Sequence, residues 1–380
     1  MTIQHRIRMP ACQITFDDSR FADSGQATHG YQAATADHCS VAHGRIRTPR
    51  MSSQRVVGLD DVTVIADNGT MSRIVYLDQN AWVTLAKGSW DKERYPEEHA
   101  ALTKVVGMVQ AGSIRIPLSF TNIYETSKVN VPHRRANLAR TQAVLSSGIV
   151  FRGRRRILRE TLAAYLADRC KINRPAPQKR WFLSELWFEA AGDYSPESYG
   201  FVMSERLLAL IRQDPGGALL DYLAFQDEEV RLEAVRRYSA SSAQLISRIE
   251  SRRAVVAGET FAKRKRAYGA RLIIDELDLI FDTARALGLN WSSVADIGSS
   301  LVRSMVVDVP VLNVESELVV RLEDQGRAIS ENDLRDIAAF MTVLPLADVI
   351  VAEKQFVNLA RQARLDERHE TMLLTSILDL

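Results

Sequence analysis

The stretch that decides the fold of this chain is IVYLDQNAWVTLAKG, which runs from Ile74 to Gly88. Its first four apolar residues predict a short buried strand, and the apolar spacing from Ala81 onward predicts a helix. Asp78 therefore stands where a buried strand ends and a helix begins. In an open α/β sheet, ligands bind at this edge, beyond the carboxyl ends of the strands.

The segments around this stretch alternate between strand and helix patterns. Residues 97–111 show helical periodicity, SIRIPLS (113–119) predicts a second strand, and GIVF (148–151) predicts a third. Near the end of the chain, SENDLRDIAAFMTVL, ADVIVA and EKQFVNLARQA predict a helix, a strand and a helix. This alternation predicts an α/β fold, a three-layer α/β/α arrangement around a parallel sheet.

Two parts of the chain depart from this alternation. Residues 1–70 are rich in small polar residues without a sustained period, and we expect a poorly ordered leader that need not exist in the cellular protein. Helical periodicity predominates in the middle of the chain. We therefore expect one α/β domain with an N-terminal half at 71–154 and a C-terminal half at 305–380, separated by a mostly helical insertion at 155–304.

Composition excludes some classes of protein without selecting one. The net charge is +2 and hydrophobic residues make up 46% of the chain, which is typical of globular proteins. Cys12, Cys39 and Cys170 lie far apart, so we expect neither a disulfide framework nor a cysteine zinc site, and a cytoplasmic location. The most apolar stretch, residues 337–352, is too short to span a bilayer, so we expect no membrane association.

Basic residues are concentrated in one part of the sequence. Between Lys128 and Arg180, fourteen lysines and arginines accompany only two acids, and FRGRRRILR (151–159) is the densest part. Such a run forms either a solvated helix surface or a surface that contacts phosphates, because backbone charge supplies most nucleic-acid affinity. The sequence leaves both interpretations open.

Four acids are spaced so that the predicted fold brings them to one edge of the sheet. Asp78 ends the first strand, and Glu125 lies in the helix after the second. Asp336 lies in the helix before ADVIVA, and Glu353 directly follows that strand. Carboxylates this close repel one another, and their pKa values rise unless a hard divalent cation such as Mg²⁺ binds them. Asp348 competes with Glu353 for the fourth place, but it begins the strand and should lie at the opposite edge.

Some of these acids also have structural explanations. Glu125 could complete a capping box with Asn122 at the start of its helix. Asp333 fits a capping box with Ser330, so we assign it a structural role. Asp336 lies almost one turn further along, where no cap needs it, and this position favours a functional role.

The order and spacing of these motifs resemble those of the PIN-domain nucleases. YLDQN (76–80) is similar to the opening strand of that family, and PLSFTNIYETSK (117–128) carries the acid that matches its second. DIAAFMTVL (336–344) resembles the helix with the third acid, and DVIVAEKQF (348–356) resembles the strand that ends in the fourth. The resemblance covers about 71–150 and 305–380, and it implies a PIN-like sheet interrupted by the helical insertion.

The resemblance implies a metal-dependent endoribonuclease, a class that includes toxins, RNA-processing factors and defence effectors. One or two Mg²⁺ or Mn²⁺ ions would be held by four residues: Asp78, Glu125, Asp336 and Glu353. A metal-bound water would attack the phosphodiester, and the candidates for orienting that water or a phosphate are Asn80, Thr121 and Lys128. RNA is the implied partner, and a cognate antitoxin, another protein partner or a homo-oligomer is left open.

Two features keep other functions open. The family usually has aspartate where this chain has Glu353, and this departure favours a non-catalytic RNA- or partner-binding protein on a degenerate nuclease scaffold. RLDERH, from Arg364 to His369, has the Arg-x4-His spacing of the metal-independent HEPN ribonucleases, although so arginine-rich a chain produces that spacing by chance. The sensitivity of cleavage to EDTA separates the metal-dependent and metal-independent nucleases.

Overall fold

A computed structural model of the protein describes residues 72–196 and 202–380. The expected leader, residues 1–70, lies outside the described residues. Most of the described chain is helical, and the helices surround a small parallel sheet.

The strands of the described chain are β1 (Arg73–Leu77), β2 (Ile114–Arg115), β3 (Val150–Phe151), β4 (Leu183–Ser184), β5 (Val349–Val351) and β6 (Met372–Leu374). Four of them form a parallel sheet in the order β2-β1-β5-β6. β3 and β4 pair in antiparallel fashion, and a parallel bridge from Leu118 to Val150 joins β3 to the segment after β2. The prediction of a mixed α/β fold with a parallel sheet is confirmed.

The helices of the first described range are α1 (Gln79–Trp90), α2 (Pro96–Gln110), α3 (Phe120–Lys128), α4 (Pro132–Ser146) and α5 (Arg154–Arg169). Those of the second range are α6 (Glu205–Gln213), α7 (Pro215–Phe225), α8 (Glu228–Val255), α9 (Phe261–Asp275), α10 (Leu277–Ala286), α11 (Val294–Ile297), α12 (Ser299–Asp308), α13 (Pro310–Asp324), α14 (Glu331–Val343), α15 (Lys354–Gln362) and α16 (Leu365–His369). Short 3-10 helices cover Trp187–Ala190 and Ile377–Asp379. Across both described ranges, no helix is long and apolar enough to cross a membrane.

The sheet separates two hydrophobic cores. Ile74 and Tyr76 of β1 belong to one core, whereas Val75 and Leu77 belong to the other, because side chains alternate along a strand. The first core is completed mainly by α5, α9, α10, α13 and α14, and the second by α1, α2, α4 and α7. Helices from the expected insertion thus pack in the same cores as the sheet, and the division of the chain into units stays a prediction.

Candidate metal centre

Asp78 stands at the carboxyl end of β1, in the middle of the sheet. Its backbone N–H donates to the Val351 carbonyl of β5 at 2.9 Å, and its carboxylate caps α1 by accepting from the Ala81 N–H at 2.9 Å. Burial raises the pKa of Asp78 to about 7, although the hydrogen bond from Ala81 acts to lower it. The negative charges of Glu353 and Glu125 raise this pKa further. Asp78 is therefore a helix cap and at the same time a carboxylate held close to other acids.

Glu125 projects from α3 and takes no part in the hydrogen bonds that cap the start of this helix. The capping box of α3 joins Ser119 and Asn122, so the alternative in which Glu125 completes the box is wrong. The Asn122 side chain also donates to the Leu77 carbonyl at 3.1 Å, which ties α3 to the end of β1. Burial raises the pKa of Glu125, and the neighbouring Arg335 opposes that rise.

Asp336 lies on α14, just beyond the helix cap. Ser330 and Asp333 form the capping box that the sequence predicts, and Asp336 takes no part in it. Burial raises the pKa of Asp336 to about 8, and the charges of the other three acids of the predicted set add to the rise. This mutual repulsion means that the four carboxylates lie close enough to interact.

Glu353 lies two residues beyond the end of β5 and is exposed at the same edge of the sheet as Asp78. Its Oε1 accepts a hydrogen bond from the Asn80 side chain at 2.6 Å. Asp348 lies at the other end of β5, where its Oδ2 accepts from the Ile74 N–H at 2.6 Å. The structure thus groups Glu353 and Asn80 with Asp78, and it places Asp348 at the opposite edge.

The structure brings four predicted acids from four separate elements to the carboxyl edge of the sheet. We call Asp78, Glu125, Asp336 and Glu353 the acid cluster. As the side chains stand, no three Asp, Glu, His or Cys residues within the described ranges form a ligand set around one point. The donor chemistry nevertheless fits Mg²⁺ or Mn²⁺, because these hard cations prefer carboxylate oxygens and would favour the charged forms that burial and repulsion disfavour.

Arg335 is not among the site residues that the sequence predicts, yet its guanidinium reaches into the acid cluster. Its Nε donates to Glu125 Oε1 at 2.7 Å, and its Nη1 donates to Glu331 Oε1 at 2.6 Å. Lys128 Nζ donates to the same oxygen of Glu331 at 2.9 Å, so this candidate for phosphate contact already has a partner. The sequence contains one signal of the arrangement, since Glu331 and Arg335 have the i,i+4 spacing of a helical ion pair.

Thr121, the third candidate for orienting a water or a phosphate, is buried between α3 and β1. Its hydroxyl lies 2.7 Å from Ser119 Oγ and 3.5 Å from the Tyr76 hydroxyl. Burial raises the pKa of Tyr76 well above its usual value, so this phenol stays protonated. Thr121 therefore belongs to the polar packing that positions α3.

The basic run from Lys128 to Arg180 is largely engaged in ion pairs within the protein. Arg154, in its densest part, is buried between Glu276, at 2.7 Å, and Glu315. The other pairs in the run include Arg135–Glu228, Arg152–Glu189, Arg156–Glu160, Arg159–Asp193, Arg169–Asp308 and Arg174–Glu160. Much of this run joins elements to one another, a use that the sequence alone does not distinguish from phosphate binding.

The Arg-x4-His motif spans α16 and the residue before it. Arg364 is exposed and pairs with Glu367 at 2.5 Å. Burial lowers the pKa of His369 to about 4, with the charge of Arg368 adding to the effect, so this imidazole is neutral at physiological pH. These surroundings offer no support for a paired arginine and histidine site.

The acid cluster is a candidate metal centre at the carboxyl edge of a parallel sheet, the edge at which open α/β folds bind ligands. Comparison of the chain with protein-family models, with curated proteins and with solved structures finds no match. The function therefore has to be inferred from the site itself.

Proposed function

We propose that this chain is a metal-dependent endoribonuclease with a fold of the PIN-like type. The observation that carries the proposal is the convergence of four carboxylates from distant parts of the sequence. Burial and mutual repulsion raise the pKa values of Asp78 and Asp336, a perturbation that is characteristic of functional sites. Asp78 at the end of a strand of a parallel sheet agrees with the opening strand that the resemblance to PIN-domain nucleases implies.

The acid cluster would hold one or two Mg²⁺ or Mn²⁺ ions, which when bound activate water and stabilise charge on the leaving oxygen. Asp78 keeps one carboxylate oxygen on the first turn of α1, which fixes the orientation of the other. Asn80 positions the exposed carboxylate of Glu353 through its amide. Arg335 holds Glu125 and carries a planar guanidinium, a group well suited to contact a phosphate oxygen.

A phosphodiester is the substrate class that such a site serves best, because a carboxylate-bound cation offsets the charge of the phosphate. RNA as the particular substrate is supported by the resemblance of the motifs to PIN-domain nucleases. A role as a toxin or defence effector, a cognate antitoxin, a homo-oligomer and a cytoplasmic location rest on the sequence alone and stay predictions.

Cleavage assays test the proposal directly. Wild-type protein and the Asp78→Asn/Asp336→Asn variant are incubated with mixed labelled RNA in Mn²⁺, in Mg²⁺ or in EDTA. We expect cleavage by the wild type only, abolished by EDTA. Asp278→Asn/Asp282→Asn removes two exposed acids of α10 and is the matched control, with activity like that of the wild type. Cleavage in EDTA, or equal cleavage by the first variant, would contradict the proposal.

A second candidate is a non-catalytic RNA- or partner-binding protein on a degenerate nuclease scaffold. The ion pair between Arg335 and Glu125 favours it, because one of the four candidate ligands already has a cationic partner. The Glu353 side chain, where the resembled family usually has aspartate, favours it as well. This candidate predicts RNA binding without cleavage in any metal, and the same affinity for RNA after Asp78→Asn.

A further inference from the structure

A cavity of about 340 Å³ lies beside the acid cluster, between α3, the Trp187–Ala190 helix, α7 and α8. Its size is typical of sites for small ligands. We call it the aromatic pocket, because six aromatic residues contribute to its wall: Phe120, Tyr124, Trp187, Phe188, Tyr222 and Tyr238. Aromatic walls of this kind present flat faces on which another planar group can stack.

The rings of the aromatic pocket form two groups. Trp187 stacks on Tyr222 with ring centroids 3.7 Å apart, and Tyr124 lies against Tyr238 at 3.8 Å. Trp187 is buried, and its Nε1 has no acceptor among the described residues. A buried donor without an acceptor is uncommon, and a ligand that brings an acceptor would satisfy it.

The aromatic pocket and the acid cluster share a wall. Tyr124 directly precedes Glu125 on α3, so neighbouring faces of one helix line the pocket and carry an acid. The Tyr124 hydroxyl donates to Glu331 Oε1 at 3.2 Å, and the same oxygen accepts from Arg335 at 2.6 Å. A strand of nucleic acid whose phosphate reaches the acid cluster therefore passes close to the pocket.

Charged side chains of α8 line one side of the aromatic pocket: Glu229, Glu233, Arg236 and Arg237. Arg236 and Arg237 pair with Glu233 at 2.9 and 2.7 Å, and both arginine side chains are more than half exposed. Exposed ion pairs contribute little to stability, so both guanidinium groups can exchange this partner for a phosphate. Aromatic faces beside cationic side chains are the combination by which proteins bind single-stranded nucleic acid.

We propose that the aromatic pocket binds one unpaired base of the RNA strand, next to the phosphodiester that the acid cluster cleaves. The base stacks on the rings of the pocket, and one of its acceptors satisfies Trp187 Nε1. Arg236 and Arg237 contact the adjoining phosphates. This inference rests on the proposed function and adds a base-binding subsite to it.

The test uses the full chain and an RNA whose cleavage site has been mapped with the wild type in Mn²⁺. The RNA is remade with a single abasic nucleotide at each position that flanks the cut. We expect one abasic position to slow wild-type cleavage by about 5- to 100-fold, the effect of losing one stacked base. Tyr238→Leu, which keeps an apolar side chain but loses the ring, should slow cleavage of the intact RNA by a similar factor. In this variant the abasic nucleotide should cause no additional slowing, because the stacking contact is already lost.

Two controls separate stacking from general damage to the protein. Tyr238→Phe retains the ring and should retain the sensitivity to the abasic position. Trp90→Ala removes a ring that is 57% exposed and lies outside the pocket, and it should behave like the wild type. The proposal is overturned if no abasic position slows the wild type, or if Tyr238→Leu stays fully sensitive. The second result would leave the pocket to another occupant, such as an aromatic side chain of a partner protein.

If the chain cleaves no RNA in any metal, the proposed nuclease function is contradicted. The base-binding role of the pocket is then tested by equilibrium binding. Fluorescence anisotropy compares the affinities of the wild type for the intact and the abasic RNAs. Weaker binding of one abasic RNA, with the difference lost in Tyr238→Leu, supports the base-binding pocket. Equal affinities overturn it.

Discussion

At the scale of single residues, Asp336 shows how a candidate catalytic carboxylate opposes stability. Its pKa of about 8 in the folded chain lies well above the value of 3.8 for a free aspartate. Between these two pH values the folded chain keeps a proton on Asp336 that the unfolded chain has released. The stabilisation from this proton is complete at low pH, and it is lost as the pH rises from about 4 through about 8. Above that range the folded protein holds a buried charge among other acids.

We therefore expect Asp336→Asn to stabilise the metal-free protein at alkaline pH. The gain should be on the order of 1–3 kcal/mol near pH 9, well below the full value of the pKa shift because solvent reaches part of the side chain, and close to zero near pH 4. Thermal unfolding in EDTA at both pH values measures it. A variant that is less stable than the wild type at pH 9 would show that burial and repulsion do not disfavour the charged form of Asp336.

Arg335 has the opposite role, because it compensates charge that the fold brings together. Arg335→Met should destabilise the protein by about 1–3 kcal/mol, since Glu125 and Glu331 lose their buried partner. The control is Arg236→Met, which breaks an exposed ion pair and should change the free energy of unfolding by less than about 0.5 kcal/mol. Urea unfolding at neutral pH measures both, and equal effects would contradict a special role for Arg335.

At the scale of secondary-structure elements, Asn122 fixes the distance between two members of the acid cluster. It closes the capping box of α3, which carries Glu125, and it donates to the Leu77 carbonyl beside Asp78. The sequence identifies Asn122 as a capping residue, but the link to β1 depends on how α3 packs on the sheet.

Asn122→Ala should weaken both the fold and the activity. We expect a loss of about 1–3 kcal/mol in the free energy of unfolding, because buried hydrogen bonds are left unmade, and a fall of about tenfold to hundredfold in RNA cleavage. Ser204→Ala removes the cap of α6, away from the acid cluster, and should lose about 1 kcal/mol with cleavage unchanged. Parallel losses of cleavage in both variants would point to stability alone as the cause.

At the scale of the whole molecule, the two hydrophobic cores join helices from distant parts of the sequence to the sheet. Arg154 shows the connection. This residue of α5 is buried between Glu315 of α13 and Glu276, which directly precedes α10. Since the first core contains parts of β1, α5, α9 and α14, we expect these elements to unfold together.

Arg154→Met should destabilise the protein by about 3–5 kcal/mol, because Glu276 and Glu315 become buried charges without a partner. Arg159→Met, on the same helix, removes a guanidinium that is 42% exposed and should have an effect below about 1 kcal/mol. Urea unfolding followed by tryptophan fluorescence and by circular dichroism measures both effects. Two separate transitions in the wild type would contradict a shared core.

Sequence patterning by itself determined the secondary structure around the acid cluster. Short apolar runs flanked by helical periodicity predicted β1, β2 and β5 of the parallel sheet, and the position of each acid relative to a strand end predicted its edge. Patterning did not predict β6, and the predicted strand at 148–151 pairs with β4 outside the four-stranded sheet. Asp348 and Glu353 illustrate this, because they flank the same strand, β5, and therefore lie at opposite edges of the sheet. These inferences hold because hydrophobic spacing and strand direction are local properties of the chain.

The tertiary structure alone decided which charges meet. Arg335 and Glu125 are separated by 210 residues, and Arg154 and Glu315 by 161, so no local pattern pairs them. The aromatic pocket likewise combines rings from four separate elements. A run of arginines has the same sequence whether it contacts phosphates or buried glutamates. Only the packing of the helices fixes the partner of each charge, because electrostatic pairing depends on distance in space.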